Sequence, residues 1–245
     1  MIKIIKNDLN KSYFNTTKFT SLMKIEKTQF TNVFLIQNKR KNLVTENSTP
    51  GKRFFEEIIF KEDNKEYREF NPFRSKLAAA ITKRISFIPI KEGDTILYLG
   101  ASHGYTPSYI SDIIKEKGNV FCLDFAPRVV RDLVLLCEER KNMIPLLANA
   151  NKPDSYKERI TQVDLIYQDV AQKNQVEILF KNLQFLKNKG YVLIAIKSRS
   201  IDVTKSPQRI YKEVEEKLKE KLKIIDRREL DPFQKDHCFF VCQKK

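Results

Sequence analysis

TILYLGASHGYTPS (residues 95–108) holds a strand, a turn and a helix start in immediate succession. The apolar run Thr95–Leu99 reads as a buried strand. Gly100 and Gly104 allow tight backbone turns after it, and Thr106-Pro107 opens a helix whose first N–H groups are free. The same alternation extends outward. Upstream, 72–86 reads as a helix, with Asn71 as its cap and Pro72 in its first turn. Downstream follow helix 107–116 ended by Gly118, strand Val120–Asp124, helix 127–140 opened by Pro127, and strands Met143–Leu147 and Val163–Tyr167. Helix 174–188 then runs to Gly190, strand Tyr191–Lys197 follows, and helix 207–221 is capped by Ser206-Pro207. Two closing strands, about 222–229 and 237–243, are joined by seven residues, too few for a parallel crossover, so they pair antiparallel. The expected fold is α/β: a mostly parallel sheet with one reversed strand. Residues 1–70 differ in texture. Short β-rich runs at Phe30–Ile36 and Phe54–Phe60, broken by Asn, Thr, Lys and the Pro50-Gly51 turn, predict a small antiparallel β domain ahead of a Rossmann-like domain at 71–245.

Composition narrows the function. The 245 residues hold 46 Lys and Arg against 31 Asp and Glu, a net charge of +15, of which residues 1–45 supply +7. A basic folded surface favours a polyanion, and nucleic acid is the commonest one. Six glycines are too few for a Gly/Arg-rich RNA-binding tail. Four cysteines without a C-x-x-C pair, and two histidines, predict buried reduced thiols and no metal site. No apolar run approaches the roughly 18 residues that span a bilayer, and MIKIIKNDLNK lacks a signal-peptide core, so a soluble intracellular protein without a membrane partner is expected.

In such sheets a ligand lies beyond the carboxyl ends of the strands. A dinucleotide site wants G-x-G-x-x-G, whereas Gly100 and Gly104 are spaced G-x-x-x-G, which favours an adenosine cofactor without a pyrophosphate, S-adenosylmethionine. Asp124, at the end of the next strand, can accept both ribose hydroxyls; Asn149-Ala150 then meets the adenine edge, and Asp169 follows the fourth strand.

NPFRSKLAAAI (71–81), ILYLGASHGYTPSYISDI (96–113), DFAPRVVRDL (124–133), IYQDVAQKNQ (166–175), AIKSRSIDVTKSP (195–207) and DPFQKDHCFFV (231–241) closely resemble the fibrillarin family, in its archaeal form. The resemblance implies a class I S-adenosylmethionine-dependent methyltransferase sheet and methyl transfer to RNA 2′-hydroxyls of rRNA and possibly tRNA. It places cofactor contacts on Tyr105-Thr106, Asp124-Phe125, Asn149-Ala150 and Asp169-Val170-Ala171-Gln172, and a catalytic set on Lys76, Asp169, Lys197 and His237. It also implies a box C/D particle with a guide RNA, a Nop-domain scaffold protein and a kink-turn-binding protein, in the cytoplasm for an archaeal-type protein and the nucleolus for a eukaryotic one. Three positions depart from the family pattern. Tyr105 stands where a threonine is usual, His103 replaces a small residue, and Asn149 replaces Asp, so weaker cofactor binding is expected.

Topology alone also brings the catalytic set together. Asp169 and Lys197 end parallel strands, the reversed last strand begins at His237, and the helix before the first strand starts near Lys76. The chemistry asks for a base at a poor nucleophile: Lys197, desolvated and beside the cationic Lys76, takes the 2′-hydroxyl proton, Asp169 orients the lysines, and Lys76 and His237 position ribose and phosphate. The rival readings are a non-catalytic RNA-particle subunit that keeps the fold, and a methyltransferase for another substrate.

Overall fold

A computed structural model describes residues 24–37 and 41–245. Five strands near the N-terminus, β1 (Lys24–Lys27), β2 (Val33–Gln37), β3 (Lys41–Glu46), β4 (Ile59–Glu62) and β5 (Lys65–Glu69), form an antiparallel sheet ordered β1-β2-β3-β5-β4. Asp63 and Asn64, both at positive φ, join β4 to β5 as a two-residue hairpin turn, a conformation that Asp and Asn tolerate. The predicted run Phe54–Phe60 is strand only from Ile59; Phe54 and Phe55 pack against the main core from a loop instead.

The second sheet has seven strands: β6 (Thr95–Leu99), β7 (Asn119–Asp124), β8 (Met143–Leu147), β9 (Val163–Gln168), β10 (Leu186–Lys197), β11 (Leu222–Glu229) and β12 (His237–Lys244). Its order is β11-β12-β10-β9-β6-β7-β8. β12 alone runs against its neighbours, as expected from its short connection to β11. Helices α1 (Lys76–Thr82), α2 (Tyr105–Ile114) and α3 (Pro127–Glu139) cover one face; α4 (Gln175–Asn182) and α6 (Pro207–Lys219) cover the other, with the short α5 (Ser198–Ile201) after β10. Val192, Ile194 and Ile196 point into one core and Leu193 and Ala195 into the other, which is why β10 reads as an unbroken apolar run.

Two helices are shorter than the pattern suggests. α1 starts at Lys76, not at residue 72, because Asn71 Oδ1 accepts the Phe73 N–H (2.9 Å) in a turn and Ser75 is the N-cap, accepting from the Ala78 N–H. α4 ends at Asn182 and β10 already begins at Leu186, so Gly190 lies within the strand, where the pairing to β9 shifts register between Leu186 and Tyr191. Ser206 caps α6 as expected, accepting the Arg209 N–H. All four cysteines are buried, and burial raises the pKa of Cys122, Cys238 and Cys242.

The two sheets are joined by buried charge. Asp112 on α2 accepts from Arg68 (2.9 Å), Arg140 (2.7 Å), the Thr45 hydroxyl (2.8 Å), and the Ser48 N–H (3.0 Å) and hydroxyl (2.8 Å). Arg68 also pairs with Glu57 at 2.8 Å, and its guanidinium lies 4.2 Å from the Tyr109 ring centroid. Burial alone raises the Asp112 pKa, but the Arg140 and Arg68 guanidinia outweigh it and hold the carboxyl below its ordinary value.

Candidate active site

The order β10-β9-β6-β7 reverses chain direction beside β6, which opens a crevice at the carboxyl ends of β6 and β9. Gly100 begins its floor. It has φ +85°, and a Cβ there would fall 2.3 Å from the Asp169 carbonyl oxygen, so only glycine lets the two strand ends lie this close. Asp169 N–H donates to Leu99 O at 2.9 Å, and the Gly100 and Ala101 N–H groups share Leu123 O, fixing three strand ends together. Gly104 is different. It caps α2 in the left-handed region and its missing side chain makes room for Leu133 and Leu136, so it serves packing and lines neither cavity described below.

Two cavities meet at Gly100, Ser102 and Asp169. The smaller, about 250 Å³, is walled by Asp124, Phe125, Asn149, Ala150 and the Asp169–Gln172 segment. Asp124 accepts the Ser102 N–H (2.9 Å) on one oxygen and the Ala126 N–H (3.0 Å) on the other, and each oxygen keeps a lone pair for a further donor. Phe125 is 65% exposed beside it, a flat apolar surface for a ring. Asn149 Oδ1 accepts the Asn151 N–H (2.9 Å) in a local turn, so its amide is oriented by the backbone. Gln172 and Asn174 are tied to this wall through Asn151. Two acceptors for a diol, a flat exposed ring and an oriented amide are the donor and acceptor set that an adenosine requires.

The larger cavity, about 800 Å³, continues past Tyr98, Thr106 and Lys76 to Arg74, Phe55 and the outer turns of α3. Tyr105 and Thr106 start α2, so their N–H groups face no carbonyl four residues back and are free to meet an anionic group. The tyrosine ring lies at the outer end of this larger cavity. It lies edge-on to Phe55 (5.2 Å) and under the Arg74 guanidinium (4.4 Å), and its hydroxyl is buried. Tyr105 therefore offers the site its backbone, not the hydroxyl expected from its threonine-like position. His103 is exposed and points toward Asp132, 3.6 Å away.

At the rim the four catalytic candidates converge. Lys76 Nζ pairs with Asp169 Oδ2 at 2.8 Å, both side chains mostly shielded. Lys197 lies directly opposite His237 in the β10–β12 ladder. His237 Nδ1 is 2.7 Å from the Lys235 carbonyl, which can only accept, so Nδ1 carries the proton and Nε2 is left as an acceptor. Burial lowers the His237 pKa, with the Lys76 and Lys197 charges acting in the same direction. The loop before His237 is closed by Leu230 N–H to His237 O (2.9 Å) and anchored to the α1 approach by Gln234 Nε2 to Pro72 O (3.0 Å).

Two residues here escaped the sequence reading. Gln168 and Gln175 are both fully buried, and Gln175 hydrogen-bonds the backbone of Lys197 on both sides. A glutamine beginning the apolar helix segment QVEILF was the one available sign.

Comparison with known proteins places the chain among its relatives. Fibrillarin-like rRNA/tRNA 2′-O-methyltransferases of Pyrococcus furiosus and Methanocaldococcus jannaschii are similar to the chain. The first is 44% identical over 226 residues (91% of this chain, all of the relative), the second 51% identical over 203 residues (82% and 88%). Among solved structures, fibrillarin of Aeropyrum pernix with natively bound S-adenosyl-L-methionine superposes with a TM-score of 0.83 at 41% identity, covering 89% of this chain and 97% of that one. A fibrillarin solved in complex with Nop5p gives 0.81 at 39% identity, covering 89% and 100%. The family profile named Fibrillarin matches residues 24–245, and the chain belongs to the fibrillarin family.

Proposed function

We infer that this chain transfers a methyl group from S-adenosylmethionine to ribose 2′-hydroxyls of rRNA and tRNA. The observation that carries the reading is the convergence of Lys76, Asp169, Lys197 and His237 on the rim of a crevice walled by Asp124 and Asn149, in a chain 44% identical to a relative named for that activity. S-adenosylmethionine, when bound, supplies an electrophilic methyl on a sulfonium. The Asp124 oxygens would accept from its ribose hydroxyls, Phe125 would offer its adenine a flat apolar surface, and the free N–H groups at the α2 N-terminus would suit its carboxylate. Lys197 takes the 2′-hydroxyl proton. Asp169, paired to Lys76, limits repulsion between the two lysines, and Lys76 and His237 hold the ribose and its phosphate. A neutral His237 with Nε2 as acceptor suits a hydrogen bond from a sugar hydroxyl.

RNA reaches the rim over Phe73, which is 64% exposed beside Phe233, and over Lys235. We further propose that target choice is delegated to a box C/D guide RNA, with the chain docked on a Nop-domain scaffold protein beside a kink-turn-binding protein, in the cytoplasm. Support for the scaffold comes from the fibrillarin solved in complex with Nop5p, 39% identical to this chain.

The test is transfer of labelled methyl from the cofactor to RNA, with and without scaffold and guide. A 2′-O-methyl product that depends on the guide is expected. Methylation of a base or of a small molecule overturns the reading.

A further inference from the structure

We propose that Gln175 is a positioning residue: its side-chain amide stands in for a strand residue that β9 does not supply, and so holds Lys197 in place at the strand end next to the one that leads to Asp169. Pairing of β9 with β10 ends at Gln168 opposite Ile194, yet β10 continues to Lys197. On the other flank the Ser198 N–H donates to Asp236 O at 3.0 Å. In an antiparallel ladder neighbouring residues alternate, so the N–H and C=O of Lys197 face the flank that β9 has vacated. There Gln175 Nε2 donates to Lys197 O at 3.1 Å, and Gln175 Oε1 accepts the Lys197 N–H at 3.1 Å. A primary amide carries the same donor and acceptor as a peptide edge.

Gln175 is itself held. Gln168 Nε2 donates to the Gln175 carbonyl at 2.7 Å, and Gln168 directly precedes Asp169. One link of two buried glutamines therefore ties the end of the strand that bears the carboxylate to the end of the strand that bears the lysine. An unpaired strand end frays. A lysine side chain is long and flexible, so a drifting backbone under it moves the amine out of line with the hydroxyl, and misplacement of about 1 Å can cost about 100-fold in rate.

The inference rests on Lys197 being the base, and its test separates the two. Gln175→Met keeps length and burial and deletes both bonds; Gln175→Glu keeps an acceptor for the N–H and turns an oxygen toward the Lys197 carbonyl. Both variants, judged folded by melting, are measured for kcat, RNA KM and cofactor Kd in the assembled particle. The expected result is a kcat lower by roughly 10- to 100-fold with KM and Kd within about twofold. Amide exchange at the Lys197 N–H, which needs no activity, is expected to speed up at least about tenfold in Gln175→Met. Unchanged Lys197 exchange, or a kcat within about twofold of the parent in either folded variant, overturns the clamp. A fully active Lys197→Ala overturns the base assignment and leaves the exchange result to decide the clamp.

Discussion

Replacing Asp112 by Asn tests the junction between the two sheets at its most heavily bonded side chain. Five donors converge on the carboxylate, two of them guanidinium groups. Asn has nearly the same shape and still accepts on one oxygen, but its NH2 donates where the second oxygen accepted, so the change removes the charge and one acceptor together. Arg68 keeps its 2.8 Å pair with Glu57. Arg140 does not have that recourse: its remaining partners, Ser48, Ser108, Ser111, Asn47 and Thr49, are all neutral. Stripping a buried charge of its partner costs roughly 3–5 kcal/mol, and the surviving neutral acceptors place this case near about 3 kcal/mol. For a chain of this size that is about 6–12 °C in melting temperature. Circular dichroism melts and urea unfolding measure it, with Glu57→Gln as the control that costs less because Arg68 retains Asp112. The pH dependence has a definite sign. The folded Asp112 pKa is depressed, so its stabilisation is complete above the ordinary Asp value of 3.8 and is lost as pH falls through the lower folded value; the variant lacks this loss. A destabilisation below about 1 kcal/mol, or a larger effect from Glu57→Gln, refutes the reasoning.

Lys197→Ala is expected to abolish methyl transfer while calorimetry still detects cofactor binding within about threefold of the parent, since its side chain lies outside the smaller cavity. Asp124→Ala removes both acceptors for the ribose diol, each about 1.5–3 kcal/mol for a charged acceptor, and weakens cofactor binding at least about 100-fold by calorimetry. Asn149→Asp preserves the turn with Asn151 and makes the acceptor for the adenine amino group anionic, so a gain in cofactor affinity of about 3- to 10-fold is expected in the same titration.

Much of the fold is written in local pattern. The glycine turn after Leu99, the prolines at Pro127 and Pro207, and the seven-residue link before His237 each specify a feature that the structure contains. The strand ends follow from those elements, which is why topology alone puts Lys76, Asp169, Lys197 and His237 on one rim. What local pattern misses is long-range. Asn71 looks like a helix cap until Gln234 and the Phe73 turn claim the segment, and nothing near Arg68 in sequence announces Asp112. Tyr105 shows the same limit. Its backbone position follows from the motif, while its ring goes where Phe55, on the loop between β3 and β4, and Arg74, just before α1, make space. Gln175 was invisible because its partner is a backbone left unpaired by a neighbouring strand.

β12 is the interior strand made latest in translation, and that sets a timetable. A ribosome that has released β6 to β9 has already made every wall of the smaller cavity, from Gly100 to Gln172, whereas His237 and β12, the outer partner of β10, have yet to emerge. The chain is thus able to form its cofactor cavity before it can form its reaction centre. Until β12 arrives, Tyr191–Lys197 is an apolar open edge, the stretch most in need of protection from other nascent chains.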